Sequence, residues 1–121
     1  MRLFALRGAV SVERNERDDV LARTEELMRE VMARNGLAPE ALVSCLFTAT
    51  QDLDAEFPAV AARRLGLDRV PLLCAQEIAV SGALPRVIRV LVHYHAADDH
   101  TPQHVYLREA RALRTDLEAA Q

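Results

Sequence analysis

Val87-Ile88-Arg89-Val90-Leu91-Val92 decides how this 121-residue chain is read. The run is apolar and rich in β-branched residues, so it reads as the middle of a strand. At its centre stands a guanidinium, which stays charged at any ordinary pH. Burying such a group unpaired costs several kcal/mol. A folded protein keeps it there when an anion comes to meet it. Arg7 repeats the arrangement in Leu3-Phe4-Ala5-Leu6-Arg7-Gly8-Ala9-Val10. Two arginines projecting from apolar strands point to a small, desolvated pocket for a carboxylate-bearing molecule. The plainer alternative is a pair of structural ion pairs, with Glu13 or Glu77 as partner.

Working outward, residues 2–13 are expected to form a first strand. Asn15 is placed to cap a helix, with Glu16, Asp18 and Asp19 in its first turn. Val20, Thr24, Leu27 and Val31, with Leu21, Met28 and Met32, recur at helical spacing. Arg34 falls in the last turn, Gly36 ends the helix and Pro39 lies beyond. The pattern predicts a helix of about 20 residues. A second strand covers 42–50, a polar loop 51–57, and Pro58 opens a short helix that Gly66 ends. Val70 to Ala75 and Arg86 to His95 are the third and fourth strands, separated by a turn at Gly82 and Pro85. The pattern of Val105 to Leu113 fits either a strand or a helix and is assigned to a fifth strand, and the polar residues from about 115 are assigned to a mobile tail.

The expectation is one α+β domain over residues 1–121: a mixed sheet of about five strands, one long helix and one short helix. The strands are almost continuously apolar, which asks for cover on both faces. One long helix covers only one face. The other face is therefore expected to pack on a neighbouring subunit, with sheets turned inward and pockets near the seams.

Composition narrows the function. Half the residues are apolar, 27% are charged and the net charge is −3. The 15 basic residues are all arginine, so every basic site has a planar, fork-shaped donor. No basic run interleaved with aromatics argues for nucleic acid. No apolar stretch is long enough to span a membrane, and no signal-peptide core opens the chain. Cys45 and Cys74 lack the spacing of a disulfide framework, which suggests free thiols and a reducing cytoplasm.

Among residues that carry chemistry, Glu77 follows the third strand in Cys74-Ala75-Gln76-Glu77. It is a base, an acceptor or a partner for Arg89. Cys74 reads as a core thiol more readily than as a nucleophile. His93, His95, His100 and His104 lack a third and fourth partner at ligand spacing, even with Asp98 and Asp99 nearby, so no metal site is expected. Tyr106 places a hydroxyl in a pocket or packs half-buried. Phe57, Ala59, Arg63 and Arg64 form a binding rim or a solvated face. No phosphate loop or serine triad is present.

Together these segments resemble the monofunctional, trimeric chorismate mutases of the bacterial α/β type, not the all-helical type. The matching stretches are Leu6-Arg7-Gly8-Ala9 with Val12-Glu13, Phe57-Pro58-Ala59 with Ala62-Arg63, and Val70-Pro71 with Cys74-Ala75-Gln76-Glu77. They continue with Arg86-Val87-Ile88-Arg89-Val90 and His104-Val105-Tyr106-Leu107, the last with Leu113-Arg114 and Asp116-Leu117. They run in family order over nearly the whole chain. The resemblance implies a homotrimer with active sites between subunits, and isomerisation of chorismate to prephenate in aromatic amino acid biosynthesis, with no cofactor. It places Arg7, Glu77, Arg89 and Tyr106 at the catalytic positions. Cys74, Phe57, Ala59, Arg63, Leu72, Leu73, Leu113 and Arg114 fall at substrate-binding positions. Val60, Leu73 and Thr115 depart from residues common in relatives, and Leu73 removes one hydroxyl.

A concerted rearrangement needs a compact substrate conformer and charge stabilisation as the ether C–O bond breaks. Arginine forks on a dicarboxylate suit both. Rival readings are a trimeric imine/enamine deaminase-like enzyme, a non-catalytic dicarboxylate-binding module, and a plain trimerisation module.

Overall fold

A computed structural model of the chain describes residues 1–114. The strands are β1 (Arg2–Ser11), β2 (Leu42–Ala49), β3 (Leu72–Gln76), β4 (Val87–Ala96) and β5 (Val105–Leu107). The helices are α1 (Arg17–Asn35) and α2 (Ala59–Arg64), with 3₁₀ turns at Pro39–Ala41 and Arg108–Ala110. The sheet order is β3-β2-β4-β1-β5, so the arginine-bearing β4 and β1 are adjacent inner strands. β4 runs antiparallel to both β1 and β2, while β5 joins β1 and β3 joins β2 in parallel. The sheet is mixed, as expected.

Helix α1 lays Val20, Leu21, Thr24, Leu27, Met28 and Val31 onto one face of the sheet. There they join a core with Leu6, Val10, Phe47, Val90, Val92 and Tyr94. Each large side chain so buried contributes about 1.5–3 kcal/mol relative to exposure. Asp18 and Asp19 complement the positive end of the helix, and Arg34 the negative end. Gly36 at φ 62° closes it, sending the Leu37 N–H back to Met32 O at 2.9 Å. Gly8 is the point of closest approach. A Cβ there would stand 3.1 Å from Leu27 Cδ1, 3.2 Å from Val90 Cγ1 and 3.3 Å from Val105 O.

The opposite face of the sheet is free of α1 and α2; among the described residues the C-terminal turn packs on it, Ala110 and Leu113 meeting Ala9 and Val87. It leaves Leu3, Leu46 and Leu73 at 56%, 36% and 61% exposure.

Two local expectations are corrected. Asn15 does not cap α1; Glu16 occupies the N-cap, without a side-chain hydrogen bond. The Asn15 amide instead donates to Asp54 Oδ1 at 2.7 Å and accepts the Asp54 and Ala55 N–H groups at 3.0 Å each. A distant loop outcompetes the helix end for the same side chain. The fifth strand also stops at Leu107 rather than Leu113. Arg108 adopts φ 56°, the chain turns, and 111–114 are helical. Ser11 Oγ accepts the Glu109 N–H at 3.0 Å and Ala110 is buried, which fixes the turn against β1. Thr115, Asp116 and Leu117, and the expected tail, lie outside the described residues.

Candidate active site

Side chains alternate across a strand, so register decides which arginines meet. Ala9 of β1 pairs with Arg89 of β4 and with Tyr106 of β5, while Arg7 pairs with Leu91. Arg7 and Arg89 therefore project from the face away from α1 as diagonal neighbours, with Tyr106 beside them. They line a cleft of about 300 Å³ with Thr48, Leu46 and Leu91. The floor is apolar and the walls carry the donors.

Glu77 joins this group just past the end of β3. Its N–H donates to Ala49 O at 2.9 Å, continuing the β2–β3 ladder by one residue. Its carboxylate Oε2 lies 3.1 Å from Arg89 Nε and accepts the Thr48 hydroxyl at 2.6 Å. The buried Arg89 Nε has no aligned hydrogen-bond acceptor, so its contact with Glu77 is an ion pair without a directed hydrogen bond. The Arg89 side chain is 41% exposed and the Glu77 side chain 17%. Glu13, the other partner considered for the strand arginines, instead pairs with Arg108 at 3.1 Å.

Burial raises the Tyr106 phenol above its ordinary range, against the opposing pull of Arg7, Arg89 and Arg114. The hydroxyl is thus a neutral donor at physiological pH, surrounded by three guanidinium charges. His104 stands at the same edge. Its Nδ1 accepts the Arg7 backbone N–H at 3.0 Å. Burial first, then Arg7 and Arg114, lower its pKa. The acceptor role and the cationic surroundings both require the neutral ring.

Leu113 packs with Tyr106 and Leu84 against Ala9, Val87 and Ala110, bringing the C-terminal turn to the margin of the arginine cleft. Phe57 and Cys74 lie elsewhere, lining a second cleft of about 360 Å³ with Leu53, Pro58 and Gln76. Ala59 is buried at the start of α2 and Arg63 is exposed on it. On β3, Leu72 is half-buried and Leu73 exposed. One chain thus gathers Arg7, Arg89, Tyr106, Glu77 and Leu113, and holds Phe57 and Cys74 apart. Cys45 is a core thiol, pushed up to about 11 by burial. His93 Nδ1 lies 3.2 Å from Ser44 Oγ, and His100 Nε2 lies 2.8 Å from the Tyr94 hydroxyl.

Nothing local in the sequence marks Thr48 as a site residue. Alternation along β2 puts it on a face with Leu46, but its place beside Arg89 depends on register.

The sequence model of chorismate mutase type I matches residues 3–117. The chain belongs to the chorismate mutase type I family. It is 48% identical over 121 residues to chorismate mutase AroH of Thermus thermophilus, covering 96% of this chain and 97% of that protein. Identity to chorismate mutase AroH of Bacillus subtilis (strain 168) is 39% over 122 residues, covering 97% and 94%. The solved chorismate mutase from Clostridium thermocellum Cth-682 superposes with a TM-score of 0.87 at 42% identity. That match covers 90% of this chain and 98% of that one. The type I match embraces every residue of both clefts, and it favours a chorismate mutase over the imine/enamine deaminase reading. Among the described residues no helix is long and apolar enough to cross a membrane.

Proposed function

We propose that this chain isomerises chorismate to prephenate by a concerted rearrangement, as a homotrimer with its active sites at subunit seams. One observation carries the chemistry: Arg7, Arg89 and Tyr106 converge on a single cleft with Glu77 anchored behind Arg89. Chorismate carries two carboxylates, a ring hydroxyl and an ether bond that breaks. Arg7 and the neutral Tyr106 hydroxyl grip the pyruvyl carboxylate and hold the compact conformer. Arg89 points its remaining donors at the ether oxygen as negative charge gathers there. Glu77 accepts the ring hydroxyl and faces the ring fragment as that fragment turns positive. Leu113 and Arg114 close the margin, and Arg63 draws the anion in.

Two features support the trimer. The sheet face away from α1 exposes Leu3, Leu46 and Leu73, apolar side chains that a neighbouring sheet would cover. Phe57, Ala59, Arg63 and Cys74 do not line the arginine cleft within one chain. A neighbouring copy would supply them as the far wall. Free thiols suit the cytoplasm.

The test is to add chorismate to purified protein and follow loss of its absorbance with appearance of prephenate. Light scattering on the same sample gives the assembly state. Turnover by a trimer is expected. A folded protein that binds chorismate without consuming it would be a sensor rather than an enzyme, and full activity in a monomer would overturn the shared site.

A further inference from the structure

We infer that Thr48 is a positioning residue for Glu77, selecting which carboxylate oxygen faces the substrate; this rests on the proposed function. The Thr48 hydroxyl and Arg89 Nε both meet the same oxygen, Oε2, at 2.6 and 3.1 Å. Oε1 is left as the free acceptor, with no hydrogen bond among the described residues.

The hydroxyl matters because of what the two charged groups would do without it. A guanidinium and a carboxylate side by side favour a bidentate, fork-to-fork pair. Such a pair would use both Glu77 oxygens and two of the Arg89 donors. Nothing would remain for a ring hydroxyl, and less for an ether oxygen. Thr48 opposes that collapse. It stands opposite Arg89 in the β2–β4 register and lines the same cleft. Its branched side chain has few rotamers to choose from on a strand. By pinning Oε2, it keeps Glu77 end-on against the Nε edge of Arg89. Oε1 and the rest of the fork are then left available to a guest. Thr48 need not touch the substrate to do this.

Thr48→Val keeps the shape of the side chain and removes the donor; Thr48→Ser keeps the donor and removes a methyl. Both are compared with wild type in the chorismate depletion assay, alone and combined with Glu77→Gln. We expect Thr48→Val to lower kcat by about 10- to 100-fold, the worth of a hydrogen bond to a charged group. KM should move much less, and Thr48→Ser should restore most of kcat. In the Glu77→Gln background, Thr48→Val should cost little more, because the two residues act as one unit. Wild-type kcat in Thr48→Val would overturn the inference. So would a Thr48→Ser as impaired as Thr48→Val, or fully additive losses in the double variant, since those mark a purely structural role. If Thr48→Val does not fold, Thr48→Ala carries the same comparison. Inactive wild type would sink the proposed function and this inference with it; active wild type with an unaffected Thr48→Val sinks the inference alone.

Discussion

Arg89→Lys separates what Arg89 does for the fold from what it does for the reaction. Lysine keeps the positive charge but offers a compact, strongly hydrated ammonium in place of a planar fork. The effect on stability should be small. The Arg89 side chain is 41% exposed and meets Glu77 without an aligned hydrogen bond, so solvent screens the pair. Ion pairs of that kind are worth about 0–1 kcal/mol. Glu77 is not stranded either, because the Thr48 hydroxyl and the Ala49 ladder bond still hold it. The effect on the reaction should be large. Losing a directed donor at a developing oxyanion costs ~10²–10³ in kcat, about 2.7–4 kcal/mol. The two costs therefore differ several-fold and are measured separately. Urea midpoints give the cost in stability, and initial rates of chorismate loss at saturating substrate, on the same preparations, give the cost in catalysis. A variant that unfolds like wild type and also turns over at close to the wild-type rate would remove Arg89 from the centre of the mechanism. A variant that loses both together would make Arg89 a structural residue.

Glu77→Gln retains an acceptor and loses the charge, so kcat should fall by about 10- to 100-fold; an unchanged kcat/KM would make Glu77 structural. His104 links stability to pH. Its folded pKa lies below the ordinary 6.5, so the unfolded chain takes up the proton first as pH falls. The stability it contributes is present above that ordinary value and is lost as pH drops towards its lowered folded value. Urea midpoints from pH 8 to 5 should therefore fall more in wild type than in His104→Gln, and parallel curves would refute the assignment. Gly8→Ala places a methyl 3.1 Å from Leu27 Cδ1 and 3.2 Å from Val90 Cγ1. Overpacking of that kind costs about 1–3 kcal/mol. A wild-type urea midpoint would show that α1 gives way freely.

How much of the fold is legible depends on how local its causes are. β4 declares itself by a β-branched, apolar run, β1 by a largely apolar one, and α1 by its spacing and by Gly36. Those signals act within a few residues of where they are read. Asn15 fails as a helix cap because its partner lies 39 residues away, in a loop whose position is tertiary. The stretch after Leu107 fails as a strand because Arg108 takes a left-handed backbone that arginine rarely adopts. That conformation is held by distant groups, Glu13 and Glu26, which draw the guanidinium across to them at 3.1 and 2.9 Å. Strand order and register are likewise absent from any single segment. Arg7, Arg89 and Tyr106 were identifiable as residues, but their convergence follows from the Ala9 pairing, and Thr48 becomes visible only through it.

Arg89 also shows why an ion pair and a ligand site are not rival explanations for a charged residue in an apolar strand. With no anion nearby, the buried Nε edge of the guanidinium would give up water against the sheet with nothing in return. With a carboxylate locked onto both of its donor edges, it would be content and inert. Glu77 occupies a middle position: close enough at 3.1 Å to make the charge tolerable, and off-axis enough to leave the hydrogen bond unmade. The unsatisfied donor is then a measure of what the site has held back. A doubly anionic guest can complete the arrangement, and the free energy of completing it is available where the reaction gathers charge.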